Sequence, residues 1–319
     1  MRLHNHPTKI KRRQVPGSAL LLWLFLGWLC VPAGCVDVVT GIDFPEQDPR
    51  VVVHGFISPA DTAVQVRLTW SNPTGAGTRS DSIRTIPGAT VRIAGEGQAP
   101  VNLVYHPEKQ VYAVPASAFP IREGQQYSLE VLVPGQEPIH ASCSIPPSNR
   151  SLELTGFMAE EVEPGLLWRY ELEYRFTDGP GEGERFYAPS AWLGETWFVF
   201  GEDTMSMGMQ RFRPLSGESF LSNGGRGGRH FVQRAENYVH RWEWQETWQA
   251  DTLYLLLLST DEHYYRYHRD LEYYSPDNPF AEPAHIHSNI RGGLGVFAGF
   301  SRHELRLPVP APEVSGETP

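Results

Sequence analysis

The chain has 319 residues, 40% of them hydrophobic and 20% charged, with 30 glycines, 27 prolines and 12% aromatics. That composition excludes a disordered chain, and the density of turn formers between aromatic-rich runs points to an all-β protein. The formal charge is −10, and so acidic a surface is repelled by phosphate backbones, which argues against a nucleic-acid partner.

The first 35 residues read as an export leader. Lys9, Lys11, Arg12 and Arg13 form a positive start, and Ala19–Leu29 is an apolar run too short to span a bilayer comfortably. Val31-Pro32-Ala33-Gly34-Cys35 then resembles a lipobox, with small residues before the cysteine and with Pro32 where the pattern usually has Leu, Val or Ile. The expectation is cleavage before Cys35 and acylation of its thiol, which anchors a water-soluble body to a membrane. Val36 is not the aspartate linked with inner-membrane retention, so the outer membrane is the expected address. Without the leader the body has 22 basic and 37 acidic residues, a charge near −15. Its membrane attachment is therefore expected to be covalent or through protein. Cys30 leaves with the leader and Cys35 is acylated, so Cys143 has no partner for a disulfide and is expected to be a buried, inert thiol.

Residues 36–49 form an acidic tether. Short strands follow: Val51–Ile57, Ala63–Trp70, Ala89–Ile93, Val101–Tyr105, Gln110–Val114, Gln126–Val133 and Ile139–Ile145, punctuated by Pro87-Gly88, Ala99-Pro100 and Pro134-Gly135. This spacing predicts a β-sandwich of immunoglobulin or transthyretin type over 50–146, ending at the stiff Pro146-Pro147. A second β-rich domain is expected over 147–308, with strands at Leu152–Met158, Leu167–Thr177, Glu184–Phe200 and a central one at Thr252–Leu258. Asp261 is placed to cap a helix from Glu262 to about Tyr274, with Tyr264, Tyr267, Leu271 and Tyr274 on its apolar stripe. Residues 309–319 make a loose tail.

The far end holds the most specific runs: Asn278-Pro279-Phe280-Ala281-Glu282-Pro283, then Ser288-Asn289-Ile290-Arg291-Gly292-Gly293-Leu294-Gly295-Val296-Phe297. With Cys35, Val52-Val53-His54-Gly55 and Gly88-Ala89-Thr90-Val91, they resemble the Bacteroidetes lipoprotein family known as domain of unknown function 4249. His287 departs from the tyrosine frequent there. The resemblance implies an outer-membrane lipoprotein often encoded beside a TonB-dependent receptor, and it brings no catalytic residues. Physically, Asn278-Pro279 is expected to set a turn, Phe280 to fill a core, and Gly292, Gly293 and Gly295 to allow positive φ or close backbone approach.

Candidate chemistry is sparse. Trp242, Trp244 and Trp248 lie close in sequence; on a strand Trp242 and Trp244 share a face and form a platform for a sugar or lipid edge. Trp192 and Trp197 are less clustered. His285 and His287 share a face if 285–287 is extended, and with Glu282 they begin a metal site, but further ligands are missing and no metal or cofactor is expected. Met205, Met207 and Met209 form an apolar alternation expected in a covered loop. Gly224–Gly228 with Arg226 and Arg229 lacks a phosphate-loop ending, and there is no G-x-S-x-G. The reading is a non-enzymatic accessory or ligand-binding partner of a TonB-dependent receptor. A structural or assembly lipoprotein of the envelope is the alternative, and an unrecognised hydrolase ranks behind it.

Overall fold

The computed structural model describes residues 48–72, 83–199, 205–242, 245–274 and 285–310. Seven strands form the first region: β1 (Val51–Ile57), β2 (Ala63–Trp70), β3 (Thr90–Gly95), β4 (Gln98–His106), β5 (Val111–Pro115), β6 (Gln126–Leu132) and β7 (Ile139–Ser144). They form for the reason the sequence suggests. In β7, for instance, Ile139, Ala141 and Cys143 point inward while His140, Ser142 and Ser144 face water. After the linker come β8 (Glu153–Glu163), β9 (Leu167–Thr177), β10 (Phe186–Val199), β11 (Met205–Arg211), the two-residue β12 (Arg213–Pro214) and β13 (Leu221–Ser222), β14 (His230–His240) and β15 (Gln245–Thr260). Helix α1 (Glu262–Tyr273) and the long β16 (Leu294–Pro308) complete the order.

Two sheets result, neither closed into a barrel, in an all-β, sandwich-like architecture. The larger runs β11-β10-β15-β16-β1-β2-β5-β4-β3-β6-β7, with β13 also on β10, and the smaller runs β12-β14-β9-β8. The large sheet folds over in the first region. β4 turns the corner, giving Val101–Leu103 to β3 and Val104–His106 to β5. The enclosed cluster includes Val53, Val66, Val91, Ile93, Phe119, Tyr127 and Ile145. The second cluster lies between the small sheet and the far part of the large one. Leu172, Tyr174, Phe176 and Phe231 there meet Leu193, Leu253, Leu255 and Leu257.

The last strand serves both clusters. Leu294–Gly299 pairs in parallel with β1, from Val52↔Leu294 to Ile57↔Gly299. From Phe300 onward β16 pairs antiparallel with β15, from Thr260↔Phe300 to Thr252↔Pro308. The glycine-rich run makes this possible. Gly295 has φ +99°, and a Cβ there would lie 2.1 Å from the Val53 carbonyl oxygen, so only glycine lets β16 approach β1 so closely. Asn289 locks the entry: its side-chain oxygen accepts from Phe297 N at 3.0 Å, and its amide donates to the carbonyls of Phe297 (2.7 Å) and Ser142 (2.9 Å). Phe297 itself is fully buried. The terminal run is thus a clasp. Its Asn278–Pro283 portion, with the expected turn and Phe280 plug, lies outside the described residues.

Helix α1 begins at Asp261, as the capping pattern predicts, with Oδ1 accepting from Tyr264 N at 2.8 Å. The apolar stripe is shorter than the spacing suggests. Tyr264, Tyr267 and His268 pack on His54 and Phe56 of β1, and Tyr264 also meets Phe300 of β16. Leu271 and Tyr274 are exposed. No helix among the described residues is long and apolar enough to cross a membrane.

Candidate functional site

Where the linker meets the start of α1, a junction cleft of about 880 Å3 opens between Pro146, Pro147, Asn149, Arg185, Phe186 and Thr260. A second cleft of about 750 Å3 runs along the other side of the helix, past Phe220, Arg229, Tyr265, Arg269 and Tyr273. Clefts are common ligand sites, so the groups lining them decide what chemistry is available.

The strongest candidates for acid–base work are already engaged. Asp261, at the floor of the junction cleft, accepts through Oδ2 from Ser144 N (3.3 Å) and Gly299 N (3.1 Å) besides capping the helix. Burial pushes its carboxyl up to about 6, and the backbone donors hold it from rising further. Asp178 is fully buried and accepts from Arg185 Nη1 (3.0 Å), Asn223 Nδ2 (2.8 Å) and the Tyr187 hydroxyl. Arg185 also donates to the carbonyls of Gly179 (2.9 Å) and Pro180 (2.8 Å). Glu195, inside the second cluster, accepts from the Trp248 indole N–H at 2.7 Å and from Gln210 Nε2 at 2.7 Å. Glu236 meets Arg213 and Arg169. Asp178, Glu195, Glu236 and Asp261 are the buried acids among the described residues. Each serves as a structural acceptor, as a buried charge must.

Sequence reasoning missed Asp178 and Glu195. Glu195 was discoverable, because in Leu193-Gly194-Glu195-Thr196-Trp197 it keeps phase with the buried Leu193. Nothing local marks Asp178, whose partners lie 7 to 45 residues away.

The tryptophans part company. Trp248 packs against the second cluster. Trp242 is exposed beside His240, at a turn in which Gln245 N donates to its carbonyl at 2.9 Å. It is not on a strand, so the strand-based platform does not form through Trp242; Trp244 and Cys35 lie outside the described residues. Residues 285–287 are likewise not a strand. His287 turns to α1 instead: its Nε2 sits 3.1 Å from His263 Nδ1, the rings stacked at 5.3 Å, and its backbone N–H donates to Asp270 Oδ2 at 2.9 Å. Burial lowers both imidazoles below their usual range, reinforced by His287 at His263 and by Arg266 at His287. Among the described residues no group of three or more His, Cys, Asp or Glu is placed to hold a metal. Cys143 is buried, and desolvation raises its thiol well above the ordinary value, consistent with an inert side chain. The glycine loop is a turn folded on 179–183, with Arg229 donating to the Ser222 carbonyl at 3.0 Å.

The largest departure from the sequence expectation is the methionine run. It is an edge strand, β11, paired with β10 and open on its other side. Met205, Met207 and Met209 are 54, 76 and 55% exposed. The loop expectation failed because Ser206, Gly208 and Gln210 look like loop residues. They belong instead to the inward side of a strand whose outward side is apolar.

Fold and clefts together define an all-β, sandwich-like protein whose buried ionisable groups hold strands and linker in place. The sequence matches the family described as a domain of unknown function (DUF4249) over residues 40–306, and the chain belongs to that family. No curated protein matches it. Among solved structures, trypsin-activated alpha-2-macroglobulin from Escherichia coli is similar at 10% identity over 67% of this chain, with a TM-score of 0.20. This chain spans 15% of that one's length.

Proposed function

We propose that the protein is an acylated lipoprotein of the outer membrane, held by Cys35, whose body acts without catalysis as the accessory of a TonB-dependent receptor. The observation that carries this reading is the order of the chain: a cationic start, a short apolar run, Ala33-Gly34-Cys35, and then a compact unit opening at Gln47. The tether over residues 36–49, fully extended, reaches roughly 50 Å at about 3.5 Å per residue. A body so confined meets membrane neighbours at an effective concentration on the order of millimolar, so a weak contact with a receptor is kept occupied. The commitment of Asp178, Glu195, Glu236 and Asp261 to protein donors favours a binding role over hydrolysis. The receptor as partner rests on the family resemblance.

The test is affinity purification of the tagged protein from envelopes in mild detergent, at native expression. A TonB-dependent receptor recovered in near-stoichiometric amount supports the reading. Recovery of envelope-assembly proteins with no receptor overturns it.

A further inference from the structure

The residues of β11 divide by side. Gly208 and Gln210 point inward: a Cβ at Gly208 would lie 2.9 Å from the Trp197 ring, and Gln210 Nε2 donates to Glu195 at 2.7 Å. Those contacts fix the phase of the strand, so Met205, Met207 and Met209 stand on its other side, exposed. They are three of the five methionines in the chain. Their direct neighbours across β10 are Phe198, Thr196 and Gly194, none of them charged. The nearest cation along the strand, Arg211, stands 5.9 Å from the Trp192 ring centroid.

We propose that this row binds a soft monovalent metal ion, Cu(I), through paired thioethers, in two overlapping seats that share Met207. The choice of methionine carries the argument. A strand face made for apolar contact alone would be served by Val, Ile or Phe, which strands favour and among which Met does not count. What Met adds at three successive outward positions is sulfur. A thioether is a neutral, soft donor that suits Cu(I) rather than Ca or Mg, and zinc takes thiolate, imidazole or carboxylate instead. Spacing then sets the number of ligands. Successive outward side chains stand about 7 Å apart, a gap that two stems of three rotatable bonds can close around one ion. Met205 and Met209, about 13 Å apart, are too far from each other to share it. The ion therefore takes two sulfurs at a time, Met205 with Met207 or Met207 with Met209, and two-coordination is a geometry that Cu(I) accepts. Beyond β11 the sheet is open among the described residues, so an ion reaches the sulfurs without displacing a strand. The net charge of −10 draws cations to the body. No cluster of His, Cys, Asp or Glu marks the site, because thioethers need none. The inference is independent of the acyl anchor and of any receptor.

The experiment uses the whole chain, purified from envelopes in detergent, with isotope-labelled methionine methyl groups. The probe is Ag(I), a redox-inert stand-in for Cu(I), followed by nuclear magnetic resonance of the methyls. Cu(I) itself is then competed against a chromogenic chelator under anaerobic reductant. Methyl signals are assigned by Met→Leu substitution, which keeps the apolar side chain and removes only the sulfur. Ag(I) at one equivalent should shift the methyls of Met205, Met207 and Met209 and leave that of Met158, which is also exposed. Met205→Leu or Met209→Leu leaves one seat and should weaken Cu(I) binding about twofold. Met207→Leu leaves none, as does the double variant Met205→Leu with Met209→Leu, and each should weaken it by more than about tenfold. No shift at the three methyls overturns the proposal, wherever else the silver binds. So does a shift at Met158 as large as theirs, which marks an affinity of thioethers at large. A loss from Met207→Leu no greater than that from Met205→Leu overturns it as well, since the shared sulfur is then not shared.

Discussion

The two regions share a sheet but treat its outer face differently. On β1 the outward Val52, His54 and Phe56 are half-buried, because α1 lays Tyr264, Tyr267 and His268 over the latter two. On β10 and β11 the outward Phe198, Met205, Met207 and Met209 have no such cover among the described residues and are exposed. The inner faces are equally sealed. What differs is that, among the described residues, one outer face has a lid and the other has none. Apolar side chains on a covered face belong to folding; on an uncovered face they belong to contact with something else.

The comparison can be broken hardest at the clasp joining the regions. Gly295→Val puts a branched side chain where φ is +99° and the Val53 carbonyl is 2.1 Å from the new Cβ. It should cost more than about 4 kcal/mol and leave little folded protein, read by soluble yield and urea denaturation. Phe297→Ala should cost about 3–5 kcal/mol through the cavity it leaves. Because β16 pairs with both β1 and β15, that loss should appear as a shift of one cooperative transition. Two separated transitions would show that the regions fold independently.

A subtler effect is acid sensitivity under the helix. Burial lowers His268 from its usual 6.5 to about 4. The folded state therefore binds fewer protons than the unfolded state between these values, and stability falls as pH drops through the window. Asp261 runs the other way: with its carboxyl raised from 3.8 to about 6, the folded state binds more protons there, and stability falls as pH rises across that range. His268→Leu should flatten the acid loss of stability, and Asp261→Asn should steepen it, in urea midpoints measured from pH 4 to 7. The same sign for both would refute the assignment. The smallest effect belongs to the uncovered face: Met207→Ser should move stability by no more than about 0.5 kcal/mol. A larger loss would mean that the strand end is covered after all.

Much of the fold was legible because it is local. An apolar, β-branched run marks β1, period-two alternation marks β2 and β7, and Asp261 ahead of an aromatic helix marks α1. The glycines of the terminal run were rightly read as sites of close approach, though that β16 would lie parallel to β1 depends on residues more than 200 positions apart. The site was less legible. Trp242, Trp244 and Trp248 are neighbours in sequence, yet Trp248 packs against the second cluster and donates to Glu195 while Trp242 stays exposed. The methionines are legible as a run, but their outward side is fixed by what Gly208 and Gln210 meet on β10, and no run of residues spells that.

The most direct test is the intact mass of the mature protein extracted from membranes of cells making it at native level. The account predicts a chain beginning at Cys35 and carrying the mass of a diacylglyceryl group, with or without a third acyl chain. A chain with an unmodified Cys35, or one beginning at any other residue, would contradict it.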